Sequence, residues 1–447
     1  LARWLDDRLG ASSFTREALN KVFPDHWSFM LGEVALYCFV ILVLTGIFLT
    51  LFFDASTSKS VYEGTYEPLN GVTVTDAYRS VVELSFDVRA GLVMRQIHHW
   101  AALVFVAAIV VHLCRIFFTG AFRRPRELNW IIGVTLLILA IFNGFTGYSL
   151  PDDLLSGTGL RIAYSIALSI PLIGTWVAFL IFGGEFPSEA IIGRLFVTHI
   201  MIVPALIAVL IGVHLALIWR QKHTQFPGAG RTESNVVGSR LWPTYAAKSV
   251  GLFFGVFAVI CLLGGLVQIN PVWLYGPFEP QQVPVPAQPD WYLGWVEGAL
   301  RIMPSWAPTV FGQLIPNVFF PSVLLPGLTF LLLYAWPFLE ARFTGDHEPH
   351  HLLDQARDRP VRTALGGVTL TFYAVLFVAA SNDLIAKWLK ASVLTTTIVF
   401  QVLLIVLPPI VGFVVYRLMK ALQLSGAERF SEMPAAALRR RTAGERS

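Results

Sequence analysis

The chain has 447 residues, of which 55% are hydrophobic and only 14% charged, and its mean hydropathy is +0.63. That balance excludes a soluble globular domain and marks an integral membrane protein. The formal net charge of +4 comes mostly from basic loops and gives no reason to expect nucleic acid as a partner.

Apolar runs long enough to cross a bilayer, about 20 residues each, recur at residues 28–53, 93–119, 129–150, 196–221, 246–268, 318–340, 362–381 and 393–420. They predict an all-α polytopic fold of eight membrane helices. A surface segment (1–27) precedes a four-helix bundle (28–221); four further helices follow (222–420), then a basic tail (421–447).

Charge gives the orientation. The first loop holds Lys59, Arg79 and Arg89 against Asp54, Glu63, Glu67, Asp76, Glu83 and Asp87, whereas the segments after helices two, four, six and eight are rich in arginine and lysine. Basic loops stay inside, so both termini are expected on the inner, cytoplasmic side of the membrane. A ninth span over Leu160–Phe182 would put later basic loops on the wrong face. That segment, interrupted by Pro171 and Gly174, is therefore expected to lie at the interface. Beginning at Leu1, without a signal-peptide pattern, the chain is expected to be part of a longer protein.

Cys38, Cys114 and Cys261 fall within predicted helices and form no CxxC or CxxCH, so disulfides, iron–sulfur clusters and covalent c-type haem have no support. Histidine is more telling. Helix two reads RQIHHWAALVFVAAIVVHLCR and helix four THIMIVPALIAVLIGVHLALIWR. Ionisable residues inside a span are costly and mark function. His98 and His112, 14 residues apart, return to within roughly 40° of one face, about 21 Å along the axis. His99 points roughly 140° away from His112. His199 and His214 are 15 apart, an offset of roughly 60° that a bend at Pro204 is expected to redirect. His98 is then expected to face His199 near the outer surface, and His112 to face His214 near the inner one. Two neutral imidazoles in each gap suit a haem iron.

Gly32 and Gly46 on helix one, and Gly133 and Gly147 on helix three, repeat the 14-residue interval. They would let a flat macrocycle lie against the backbone. Arg95 and Arg115, three residues outside the two histidines of helix two, can pair with haem propionates.

With MLGEVALYCFVILVLTG in helix one, R..H and H..R around His98 and His112, GYSLP after helix three, the helix-four pair, WPTYAAKSVG and PDWY, the sequence resembles the cytochrome b subunit of quinol:cytochrome c oxidoreductases over most of its length. The resemblance implies two b-type haems, one at His98 and His199 and one at His112 and His214. It further implies a quinol oxidation site outside, a quinone reduction site inside, and transfer of one electron to a Rieske-type iron–sulfur subunit while the other crosses the membrane. Asp290 corresponds to the acidic residue of the family's PEWY motif. The loop from Asn270 to Asn317 carries nine prolines, and Pro289 is expected to start a short helix with Asp290 in its first turn, where a carboxylate can accept a quinol proton. Tyr292, Tyr148, Pro289 and Trp291 are expected around the same pocket.

Several positions depart from the mitochondrial pattern: DDLLSG follows GYSLP, Trp219 stands where a quinone-binding histidine is common, and Ser249 where an aspartate often follows lysine. No cysteine near Met30 offers a site for the extra haem of the chloroplast branch. PDWY, the 15-residue histidine gap and HEPHHLLDQARDRPVRTA resemble the actinobacterial branch. That implies menaquinol, a dihaem cytochrome c subunit, a cytochrome c oxidase in a supercomplex, and a dimer of the complex. His347, His350 and His351 are expected in a solvated loop, and the basic tail near anionic lipid headgroups or a partner. Two other classes fit parts of the pattern. A dihaem anchor of a quinone-linked dehydrogenase would not need PDWY or helices five to eight, and a proton-coupled transporter would not need the matched glycines.

Overall fold

A computed structural model describes residues 2–282 and 288–431. Most of the tail expected near lipid, residues 432–447, lies outside them. Among the described residues eight helices are long and apolar enough to cross a membrane: Trp27–Thr50, Gly91–Phe118, Glu127–Tyr148, Ile191–Gln221, Leu241–Leu266, Phe320–Thr344, Pro360–Ala379 and Val393–Ser425. Their order matches the eight predicted runs. Strand among the described residues is confined to three two-stranded ribbons.

Loop contacts sort the chain into two faces. On the expected inner face, Val22 and Phe23 pair with Arg240 and Ser239, and Arg123, Arg124 and Arg126 bond to carbonyls of Leu352, His347 and His350. On the opposite, expected outer face, Arg95 reaches the Asn270 carbonyl, Thr75 reaches Asp152, and Asp153 bridges to Pro277. Outward-pointing Leu44, Val209 and Ile405 give the helices an apolar outer surface.

Small side chains let the helices of the first bundle approach closely. Ala35, Cys38, Ala101 and Ala140 are buried with Ile41, Phe105, Val203 and Ile207 in one core, which Ile260 of the fifth span joins. A second core, with Ala299, Ile302, Leu376, Ala379 and Phe400, ties the short helix Gly294–Ile302 to spans seven and eight. Gly298 is required there, because a Cβ would run into the Leu376 carbonyl.

Span four contains the main irregularity. Ile191–Val197 is α-helical, Thr198–Ile202 is a π turn, and Val203–Gln221 is α-helical again with Pro204 in its first turn. A π turn accommodates an extra residue, and this one contains His199. The 15-residue spacing to His214 is thereby brought closer to the 14-residue register, by a local unwinding beside Pro204 rather than by the proline bend alone.

The Leu160–Phe182 segment becomes two short helices, Leu154–Leu168 and Gly174–Phe182, with Pro171 in the turn between them. Asp153 caps the first through Ser156. In the inner HEPHH loop His347 is exposed, as expected, whereas His350 and His351 are half-buried and docked. His350 bonds Asp346 at 2.8 Å, His351 Nδ1 lies 3.0 Å from Arg126, and Arg362, 3% exposed at its side chain, joins Glu340 to Asp354. No group of three metal-ligating side chains occurs among the described residues.

Candidate functional site

Two cavities lie within the first bundle, one toward each face. The outer one, about 390 Å³, is lined by His98, His199, Gly46, Gly147, Arg95 and Tyr148, together with Asp290 and Tyr292. The inner one, about 440 Å³, is lined by His112, His214, Gly32, Gly133 and Arg115. Both volumes fall in the range of small-molecule sites, about 300–1,000 Å³.

The His98 and His199 rings face each other with centroids 6.1 Å apart and planes at 71°. Two imidazoles on opposite sides of one metal ion, each nitrogen about 2.0–2.1 Å from it, place their centroids about 6 Å apart. The other ring nitrogens are held from behind: Thr45 Oγ1 lies 2.9 Å from His98 Nδ1, and the Asn143 carbonyl lies 3.0 Å from His199 Nδ1. Fixing Nδ1 in this way leaves Nε2 available to a metal. In the inner cavity, His112 Nδ1 is buried without a partner; His214 approaches the Asn129 carbonyl, yet its Nδ1 also completes no hydrogen bond.

Each of the four glycines lies against one imidazole. A Cβ on Gly46 would sit 3.3 Å from His98 Cε1, one on Gly32 3.3 Å from His112 Cε1, and one on Gly133 3.9 Å from His214 Cε1; at Gly147 it would collide with the His199 ring. The shared period of glycine and histidine therefore has a direct cause in ring clearance. Arg95 and Arg115 each bury Nε and Nη2 without a partner at the cavity wall. A buried cation with free donors is a poor arrangement unless an anion completes it, so both arginines fit the acidic edge of a haem.

Asp290 is not in the first turn of its helix. Its backbone is extended (φ −54°, ψ 144°), immediately before the 3-10 turn Trp291–Leu293, and its carboxylate makes no capping bond. The side chain turns instead to His99, whose Nε2 lies 2.9 and 3.0 Å from the two carboxylate oxygens, and accepts the Tyr292 hydroxyl at 3.2 Å. The cavity thus runs from the first histidine pair to this carboxylate. His99, absent from the sequence-based site, is the residue that anchors Asp290. The adjacent HH doublet was its signal, since a second buried histidine turned from the ligand face needs a partner of its own. Burial pushes the Tyr292 hydroxyl well above its ordinary value, so it donates rather than ionises.

Pro289 and Trp291 do not line the cavity; Trp291 packs on the bundle core and against Tyr292. DDLLSG lies on the outer face, away from the inner cavity, whereas Trp219 and Ser249 do line the inner cavity.

Residues 103–277 match the family model described as cytochrome b(N-terminal)/b6/petB. The "cytochrome bc1 complex cytochrome b subunit" of Mycobacterium tuberculosis is 55% identical over 422 residues, 94% of this chain and 77% of that protein. The chain belongs to the cytochrome b family. The same subunit of Corynebacterium diphtheriae is 52% identical over 424 residues (95% and 78% of the two chains), and that of Streptomyces coelicolor 48% over 415 (93% and 76%). A solved "Hyperthermophilic respiratory Complex III" chain superposes with a TM-score of 0.69 at 22% identity, covering 93% of this chain and all of that one, which shows a shared fold. As a cytochrome b of the bc1 type, the chain is a multi-span subunit of a respiratory quinol:cytochrome c oxidoreductase, and the family implies b-type haem.

Proposed function

We propose that this cytochrome b holds two haems, one between His98 and His199 and one between His112 and His214, and bifurcates the oxidation of menaquinol. The observation that carries the reading is the pair of histidine-lined cavities at two depths, the outer one continuous with Asp290. Bound haem would supply one-electron transfer along the bundle, its acidic groups held by Arg95 and Arg115. His98 and His112 stand on one unbroken helix, Gly91–Phe118, so their 14-residue separation corresponds to about 21 Å across the membrane.

At the outer cavity the chain's own work is proton handling. Quinol oxidation releases two protons, and Asp290 takes one. Its two oxygens accept from His99 and Tyr292, which aims the carboxylate while leaving lone-pair capacity for a quinol hydroxyl. Tyr148, on the same wall, bounds the pocket and excludes water.

The first electron goes to a Rieske-type iron–sulfur subunit and onward to a cytochrome c subunit, taken as dihaem. A supercomplex with cytochrome c oxidase, a dimer of the complex and bound lipid complete the proposed setting. The membrane is the bacterial plasma membrane with both termini cytoplasmic, supported by the clustering of basic loops on the N-terminal face.

The test is an optical redox titration of the purified complex, comparing menaquinol and ubiquinol analogues as reductants. Two resolvable b haems, with extra b reduction when an inner-site inhibitor is added, are expected. Absence of haem absorption overturns the reading, and haem reduction that needs no iron–sulfur partner replaces bifurcation with a simple anchor.

A further inference from the structure

The inner cavity contains a carboxylate that the haem reading does not use. Glu33, next to Gly32, lies at its wall with Tyr37, Tyr245 and Ser249. Tyr37 OH and Ser249 Oγ lie 2.9 and 2.7 Å from Glu33 Oε2, and 2.5 Å from each other. Tyr245 OH donates to Glu33 Oε1.

Counting hydrogens shows what this cluster can do. The triangle of Glu33 Oε2, Tyr37 OH and Ser249 Oγ has three close contacts but only two hydroxyl hydrogens. With Glu33 ionised, one contact has no proton to share. A proton on Glu33 completes the ring, so the triangle has a place for one further proton. Beside it in the chain, Lys248, adjacent to Ser249, pairs with Asp25 at 2.6 Å, and both are nearly half exposed on the expected inner face.

A second titratable ring lines the same cavity. His223 packs tilted against Phe23 at 4.7 Å, and Phe23 stacks on Tyr245 at 4.5 Å. Burial, with the nearby cations Lys21 and Arg126, pushes His223 down to about 4. Glu33 is the one carboxyl group among the described residues that line this cavity.

We infer that Glu33, in its cluster with Tyr37, Tyr245 and Ser249, is the proton donor of a quinone reduction site in the inner cavity. The inference rests on the function proposed above. One quinone takes up two electrons, supplied as proposed for the inner cavity, and two protons drawn from the inner aqueous phase; both carbonyl oxygens become hydroxyls. Glu33 delivers one proton to one oxygen and is recharged past Asp25 and Lys248.

The test uses the purified complex with its b haems pre-reduced, followed during reoxidation by a menaquinone analogue. Glu33→Gln is expected to slow reoxidation about a hundredfold, the range of general acid catalysis, while quinol still reduces the haems from the outer side. Glu33→Asp is expected to recover much of the rate. The infrared difference spectrum of quinone reduction is expected to lose a carboxyl C=O band in Glu33→Gln. Reoxidation within about twofold of wild type, or an unchanged band, overturns the inference. Should Glu33→Gln fail to assemble, Tyr245→Phe, which keeps the carboxylate, decides: the inference requires slowed reoxidation and a shifted band, and an unchanged rate overturns it. A wild-type complex whose haems no quinone reoxidises would instead overturn the proposed function.

Discussion

His99 and Asp290 are 191 residues apart in the chain and joined by a hydrogen bond of 2.9 Å. The contact fixes the rotamer of the one carboxylate among the described residues lining the outer cavity and connects the PDWY loop to the second span. Asp290→Asn keeps the shape and one acceptor but cannot take a proton. Quinol oxidation is expected to fall about 10²- to 10⁴-fold, with haem content and inner-side reoxidation intact. His99→Phe is expected to give a smaller loss through disorder of the carboxylate. Pre-steady-state haem reduction measures both, and an Asp290→Asn complex as fast as wild type would remove Asp290 from the mechanism.

Why the sequence revealed some of this and not the rest is a matter of range. Eight spans are visible because length and apolarity are properties of one contiguous segment. The approach of His98 to His199 follows from helical period on two such segments. The π turn at Thr198–Ile202 does not, since unwinding depends on the neighbours that satisfy its backbone. The His99–Asp290 contact and the cluster of Glu33 with Ser249 join residues from separate spans and loops, with no period to reveal them. Trp291, expected in the pocket, faces the core instead because the 3-10 turn rotates successive side chains by about a third of a circle.

Gly147 gives a test of ring clearance. A methyl at this position collides with the His199 ring, whereas Gly212, on the exposed face of span four, has nothing within 4 Å of an added Cβ. Gly147→Ala is expected to displace His199 and lose the outer b haem while the inner one stays. Gly212→Ala is expected to keep both and to be neutral or stabilising by up to about 1 kcal/mol. Haem quantification by pyridine haemochromogen separates the cases; two haems per chain in Gly147→Ala would refute the clearance argument.

Arg362 ties the sixth and seventh spans to the inner loop. Its guanidinium bonds Glu340 and Asp354, whose side chains are only 11% and 14% exposed. Arg362→Met strands Glu340, while Asp354 keeps Arg123 and Arg359, each at 3.3 Å; the cost of an unpaired buried charge is about 3–5 kcal/mol. A clear drop in thermal midpoint is expected. Adding Glu340→Gln is expected to recover part of it, since the double change removes the stranded charge. Equal midpoints for wild type and Arg362→Met would show that the network contributes nothing net.

Asp153 sets a pH dependence of opposite sign to that of a salt-bridged aspartate. Burial pushes it, like its neighbour Asp152, up to about 6, and its Oδ2 is enclosed without a partner while Oδ1 caps the following helix. The folded state therefore binds the proton more tightly than the unfolded chain, whose aspartate titrates near 3.8. Its contribution is complete below that value and is lost as pH rises through about 6. A shift of this size corresponds to at most about 3 kcal/mol. Asn caps a helix as well as Asp does, so Asp153→Asn keeps the cap and removes the charge. Above pH 7 the variant is expected to unfold at a higher temperature than wild type, the gap closing toward pH 4. Because Asp152 still titrates, a shallower slope remains in the variant. Thermal midpoints by intrinsic fluorescence across that range measure the gap, and a wild type as stable as Asp153→Asn above pH 7 would show that the buried carboxylate finds compensation within the assembled complex.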